Sequence, residues 1–172
     1  MKTCKICLNQ FEPVRALMVT CSYSCALAYS RGKIAKVVKA ENKVKKEKMK
    51  TKSQHLKELQ TIFNKYIRTR DLLLPCVSCG DTINSTAHAS HFFSVGSHPG
   101  LRFNEDNVHS SCEQCNTYLH GNLIEYSLRL PERIGQDNYE NLLSSRGERL
   151  QLSIPEIEEL KTVYKQKIKD LI

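Results

Sequence analysis

The chain has 172 residues, 40% of them hydrophobic and 26% charged, with a formal net charge of +8. That length is room for one or two small domains, and an aromatic share of 7% without Trp implies a modest core. No run of about 18 apolar residues exists, which excludes a helical membrane span. Met1-Lys2-Thr3-Cys4 has no apolar stretch behind it, so no secretory signal is read and a reducing cytoplasm is expected.

All eight cysteines fall in close pairs, and disulfides are rare in a reducing compartment. Two four-thiolate zinc sites are therefore expected. The first occupies residues 1–28 as Cys4-x2-Cys7, a gap, then Cys21-x3-Cys25. A segment this short buries too little apolar surface to fold alone, and metal binding supplies the difference. Two roles fit it: a staple that anchors the next helix, or a module that touches DNA itself.

Residues 29–70 read as a Lys-rich helical arm. From Arg31 to Lys57 there are eleven Lys/Arg against two Glu, so this segment carries the whole positive excess. That is the footprint of a polyanion-binding element. Lys33, Lys36, Lys39, Lys43, Lys45, Lys46, Lys48, Lys50 and Lys52 are its candidate phosphate contacts. Leu56, Leu59, Ile62, Phe63, Tyr66 and Ile67 have helical spacing, whereas the stretch between Ala40 and Ser53 is nearly free of large apolar residues. His55 sits on this segment with no role assigned.

Residues 71–126 hold the second quartet, Cys76-x2-Cys79 and Cys112-x2-Cys115, among turn residues that predict short strands and loops. Inside or just after it come His88, His91, His98, Asn107, His109, Asn116 and His120. Residues 127–172 return to helix. Ser153-Ile154-Pro155-Glu156 is a capping box with Pro in the first turn, and Ile157, Leu160, Val163, Tyr164, Ile168 and Leu171 form one stripe.

This ordering resembles the HNH pattern of ββα-metal nucleases. The expected fold class is α+β: a zinc-stapled HNH or treble-clef ββα core, with an N-terminal zinc knuckle, a long basic helix and C-terminal helices. The resemblance makes His91 the general base and gives Asn107 the task of fixing the loop that orients it. It makes Asn116 and His120 ligands of a catalytic divalent ion. Chemistry agrees with these roles. Phosphodiester hydrolysis needs a base near neutral pKa and a cation at the scissile phosphate. Residues 116 and 120 share one face if they lie on a helix, and an oxygen beside an imidazole suits Mg or Mn. Ser90 stands where many such sites place an acidic ligand. His88 is a substitute ligand only if a bulge turns it, because residues 88 and 91 of a regular strand face opposite ways. His109 either faces DNA or hydrogen-bonds the knuckle, His98 is read as solvated or phosphate-contacting, and Arg102 is a candidate for positioning the scissile phosphate.

The match extends further. Arg70-Asp71-Leu72-Leu73-Leu74-Pro75-Cys76-Val77-Ser78-Cys79-Gly80, Leu101 through His109, Cys115-Asn116 and Gly121-Asn122-Leu123 resemble the NinG (Rap) family of lambdoid phage recombination proteins. So do the N-terminal quartet, the arm, Arg133-Ile134-Gly135-Gln136 and Tyr164 through Leu171. The resemblance implies an endonuclease that cuts branched DNA, such as Holliday junctions and D-loops. It also implies a phage or prophage origin in a bacterial cytoplasm, with other recombination proteins as partners. A junction is near-twofold, so an active homodimer is expected. The competing reading is a zinc-containing recombination mediator that binds DNA without cutting it.

Overall fold

A computed structural model describes residues 1–83 and 87–172; the side chains of Lys46 and Lys48, both expected at phosphate, lie outside the described residues. The chain divides into two compact units, Met1–Lys50 and Thr51–Ile172. No helix among the described residues is long and apolar enough to cross a membrane.

The first unit is a knuckle that opens into a helix. Strands β1 (Lys2–Thr3) and β2 (Gln10–Phe11) pair antiparallel around the first cysteine pair. The Cys4–Leu8 turn closes with a bond from Leu8 N–H to the Cys4 carbonyl, 3.1 Å. Helix α1 (Tyr23–Lys48) starts inside the second pair, where the Ser22 hydroxyl caps the Cys25 amide at 3.3 Å. Every described lysine on α1 is exposed. Ile34, Val37, Val38 and Val44 are also more than 40% exposed, so α1 buries little of its own surface.

The basic segment is not one element. Helix α2 (Lys52–Arg70) begins afresh at Thr51, whose hydroxyl caps the Gln54 amide while the Gln54 side chain returns to the Thr51 amide. This is a complete capping box, and it moves the boundary of the basic arm from residue 70 to residue 50. Leu59, Phe63, Tyr66 and Ile67 of α2 pack against Ile157, Tyr164 and Ile168 of α5 (Ile154–Asp170) and against Val108. α5 has the expected capping box and proline, but Val163 and Leu171, assigned to its apolar stripe, are 42% and 50% exposed.

The sheet of the second unit is a single ribbon. β3 (His88–His91) pairs antiparallel with β4 (Val108–Ser111) in unbroken register, His88 opposite Ser111 and His91 opposite Val108. Alternation therefore splits the ribbon into two faces. Ala89 and Val108 belong to the cluster beneath α2 and α5. Ser90 and His109 meet Tyr126 of α3 (Leu123–Ile134) on the other side. Val77, Leu101, Tyr126 and Leu130 form a second core with Leu142 of α4 (Gln136–Ser144).

Candidate functional site

Each cysteine quartet converges. Within each, the four sulfurs lie within 4.8 Å of one another. A tetrahedral zinc site with Zn–S of about 2.3 Å requires sulfurs about 3.8 Å apart. The sulfur pairs Cys7–Cys21, Cys21–Cys25 and Cys79–Cys112 stand at 3.4, 3.8 and 3.9 Å. Backbone amides already prepare the thiolates. N–H groups of Cys7, Ile6 and Cys21 bring Cys4 down to about 6. Burial pushes the Cys76 thiol up, but amides of Cys112, Cys79 and Ser78 outweigh it and leave it at about 7. The neighbours go the other way: hydrogen bonding to Cys7 pushes Cys21 up to about 12, and burial raises Cys79. A cation resolves that crowding of sulfurs, so the donor sets fit zinc.

Around the second quartet the backbone is tightly folded. Cys112 N–H donates to Cys76 Sγ at 3.3 Å and Cys115 N–H to Cys112 Sγ at 3.5 Å. The Asn122 amide reaches Cys115 Sγ at 3.7 Å, and the Ser78 hydroxyl donates to the Gly121 carbonyl at 2.9 Å. Sequence spacing assigns no role to Asn122 or Ser78. Both lie within the family motif, and outer-shell partners of this kind are what a thiolate site needs.

The sequence expectation that Asn116 and His120 share a helix face requires correction. A π-helical turn spans Gln114–Tyr118 and stops at Leu119. His120, Gly121 and Asn122 then follow in left-handed backbone, with φ of 49°, 95° and 46°. Asn116 stays in the turn, half-buried, and His120 projects from the corner, exposed. His88 also needs correction as a ligand on the side of His91. The register contains no bulge, so it faces the side of Ser90 and His109. Among the described residues, no group of three His, Cys, Asp or Glu that includes His88, His91 or His120 converges as the quartets do.

His91 and Asn107 are tied into one cradle. The His91 ring closes β3 half-buried, with Nε2 3.1 Å from the Arg102 carbonyl. Asn107, fully buried, ends a short 3-10 turn (Glu105–Asn107) that Asn104 caps through the amides of Asp106 and Asn107. Its side chain accepts from Phe93 N–H at 2.8 Å and donates to the carbonyls of Phe93 and Leu101, both at 3.0 Å. One amide group thus grips both ends of the 93–101 loop, and the next carbonyl along, that of Arg102, holds the imidazole. Burial lowers the pKa of His91, against the Arg102 carbonyl, which raises it. The ring is therefore neutral at pH 7, with its second nitrogen open to accept a proton.

The remaining expected residues separate. Arg102 donates from Nε to Gln60 Oε1 at 2.8 Å and lays its guanidinium over Phe103. His109 is a core residue: it is 3% exposed and sits 3.2 Å from the Tyr126 hydroxyl. Its Nδ1 is thus turned to Tyr126 and not to a cysteine of the knuckle, and its ring lines a cleft with Arg70, Asp106 and Arg133. His98 packs at a tilt against the Phe93 ring, and its Nδ1 is buried without a hydrogen bond. His55 is buried against Glu158, 2.6 Å away. Of the arm residues, Lys33, Lys36, Lys39, Lys43 and Lys45 are exposed, Lys50 pairs with Glu47, and Lys52 is exposed on α2.

The pair Arg70–Asp71, part of the family motif but without an expected role, supports the frame. Asp71 is buried and accepts from Arg70 Nε at 2.7 Å and from Ser110 N–H at 2.8 Å. Arg70 also donates to the carbonyls of Glu105 and Val108. The end of α2 is thereby fixed to β4 and to the turn that carries Asn107.

The fold and sites define a two-unit protein with two thiolate quartets, a basic helix and a histidine cradle beside a small β ribbon. The chain belongs to the NinG family: the family model described as "Bacteriophage Lambda NinG protein" matches residues 1–172. It is 39% identical to "Protein ninG" of Escherichia phage lambda over 129 residues, covering 75% of this chain and 63% of that protein. "Protein ninG" of Salmonella phage P22 is 37% identical over the same coverage of each. "Protein ninG" of Enterobacteria phage H19B is 32% identical across 99% of this chain and 93% of that one. The chain thus spans less than two thirds of the lambda relative it matches. No solved structure matches it.

Proposed function

We propose that this chain is a metal-dependent HNH-type endonuclease that hydrolyses phosphodiester bonds in branched DNA, including four-way junctions and D-loops, during phage recombination. The observation that carries the reading is the His91–Arg102 carbonyl–Asn107 cradle on a ribbon whose following turn supplies two zinc-binding cysteines. His91 gives its Nε2 proton to the Arg102 carbonyl and keeps a lone pair on Nδ1. In that tautomer Nδ1 takes a proton from water as the water attacks phosphorus in line. Asn107 fixes the loop, and with it the tautomer. The Arg102 guanidinium, braced by Gln60, supports the phosphate.

Asn116 and His120 are the side chains assigned to the catalytic Mg or Mn. Such ions keep waters and substrate phosphate oxygens among their ligands, so one or two protein ligands suffice. A bound ion supplies charge neutralisation at the scissile phosphate and the leaving 3′ oxygen. The exposed lysines of α1 supply affinity without sequence preference. Paired cuts across a twofold junction call for two copies of the chain.

The test is cleavage with Mg or Mn of a labelled four-way junction, a D-loop and a linear duplex of the same sequence. Wild type cuts the branched substrates; His91→Ala binds them equally and cuts about 10²- to 10⁴-fold more slowly. If wild type binds the junction and no divalent ion elicits a cut, the chain is a DNA-binding scaffold instead.

A further inference from the structure

The segment between α2 and the second quartet is pinned at both ends and apolar at its tip. Asp71 is 2% exposed and Cys76 is 1% exposed, yet Leu72 and Leu73 between them are 77% and 94% exposed. The tip is held in a tight turn, with Leu74 N–H bonded to the Asp71 carbonyl at 2.9 Å and Cys76 N–H to the Asp81 carbonyl at 2.8 Å. Two clefts share the wall Leu74–Pro75. One, about 460 Å³, is apolar, lined by Leu72, Leu73, Thr82 and Ile83. The other, about 290 Å³, is cationic, lined by Arg129 and Arg133 with Glu132 as its one carboxylate.

Arg133 of that second cleft is tethered, and the exposed Arg129 reaches over Gly80 beside it. They stand one turn apart on α3, on one face. Arg133 Nη2 donates to the Pro75 carbonyl at 2.8 Å. The Arg129 guanidinium lies on Gly80 so closely that a Cβ there would come within 2.7 Å of Nη1. Two guanidinia, one of them tethered, beside an apolar shelf match a phosphate with a base attached.

We propose that this pair of clefts docks one unpaired nucleotide of branched DNA, its phosphate on Arg129 and Arg133 and its base against Leu72, Leu73 and Ile83. The proposal rests on the branched-DNA reading above and names what on the chain distinguishes a branch from a duplex. A base outside its stack is available at little cost where it is already unpaired, and at much greater cost inside a continuous helix. The apolar shelf therefore favours branch points, flaps and displaced strands. The arginines alone would bind any backbone. The cleft offers two guanidinia against the Glu132 carboxylate, with Cys76 of the second quartet in its wall, and a neutral or cationic ligand has nothing there to answer the guanidinia.

The experiment uses the full zinc-loaded chain and Ca²⁺ in place of Mg, so that binding is read without cutting. The probes are a flap substrate with 2-aminopurine as the unpaired base at the branch, and a linear duplex with 2-aminopurine inside. Wild type raises the flap emission as the base leaves its neighbours, and leaves the duplex emission unchanged. Leu72→Ser/Leu73→Ser abolishes the rise and weakens flap binding about tenfold, while duplex binding is unchanged. Arg129→Gln weakens both and lowers the slope of log affinity against log salt by about one. Zinc content of two per chain verifies that each variant is folded. An unchanged emission rise and affinity in the leucine variant overturns the site, even if the chain cuts junctions. A chain that shows the leucine-dependent rise but cuts nothing with Mg or Mn keeps the site and loses the nuclease reading.

Discussion

At the residue scale, burial decides what each histidine does. In the sequence His88, His91, His98, His109 and His120 are equals around one quartet. In the fold His109 is in the core, with a pKa pressed down to about 3, chiefly by burial, from an ordinary value of 6.5. Its consequence is a pH-dependent stability. Below pH 6.5 the unfolded chain takes up a proton there that the folded chain refuses, so stability present above that pH is lost as pH falls toward 3. The loss is up to about 1.4 kcal/mol per pH unit. Urea denaturation of wild type and His109→Gln at pH 7, 6 and 5 measures it: the variant has the shallower slope. A variant as acid-sensitive as wild type removes His109 as the cause. His91 moves in the same direction for the same reason, with an opposite use. Its neutral form persists below pH 6.5, so, if His91 is the base of the proposed nuclease, the acid limb of the cutting rate lies below the ordinary imidazole pKa.

His120 illustrates what spacing alone conceals. Four residues from Asn116 reads as one helix face. The π turn consumes that spacing, and the left-handed corner at 120–122 redirects the chain into α3. Gly121 in the middle of this corner is visible in the sequence, but a glycine does not announce that its two neighbours share its backbone region. Non-glycine residues in this region cost about 1 kcal/mol each, and Asn bears it better than most. His120→Asn therefore keeps the corner and the zinc, within about 1 kcal/mol of wild-type stability. His120→Gly also suits the left-handed corner, supplies no ligand, and lowers Mg-dependent cutting at least tenfold if His120 holds the ion of the proposed nuclease. Undiminished cutting would assign the ligand elsewhere.

At the element scale, capping chemistry is the most readable feature and also the easiest to overlook. The Ser153 box that opens α5 is legible from four residues. The equivalent Thr51-Lys52-Ser53-Gln54 signature opens α2 in the same way, but it lies inside a run of lysines whose charge suggests one continuous arm. Charge does not end a helix, whereas a side-chain cap starts one. The apolar spacing from Leu56 to Ile67 correctly marks a packed helix, and the burial of that face against α5 is why α2 belongs with the second unit. The β ribbon is four residues per strand. It is too short for stability alone, so the α2–α5 cluster on one face, Tyr126 on the other and the quartet beside it carry its fold. Metal removal then separates two effects. If the quartets hold zinc, a thiolate-competing chelator releases two ions per chain with loss of near-ultraviolet structure, because binding and folding of such small sites are coupled. If the chain is the proposed nuclease, EDTA at lower concentration ends cutting first and leaves both zinc ions in place. Loss of zinc and of cutting in strict proportion would contradict separate structural and catalytic ions.

At the scale of the whole molecule, charge and chemistry are assigned to different units. The described lysines of α1 lie in the first unit and are exposed. The histidine cradle, the second quartet and both apolar cores lie in the second. This division is readable in outline from the sequence, because the positive excess sits in one segment and the histidines in another. Its border is not, since it falls between two helices of similar composition. The two units should therefore respond separately to mutation. Replacing Lys33, Lys36, Lys39 and Lys43 by Gln removes four exposed charges from the first unit and touches none of the residues that hold His91. For every phosphate left without its lysine, the slope of log affinity against log salt falls by about 0.9. On the proposed function, the quadruple variant thus binds junctions and linear duplex more weakly by the same factor, with a shallower salt dependence, and its single-turnover cutting rate at saturating protein equals that of wild type. If the rate at saturation falls along with affinity, the lysines take part in forming the cutting complex, and binding and chemistry are not separable between the two units.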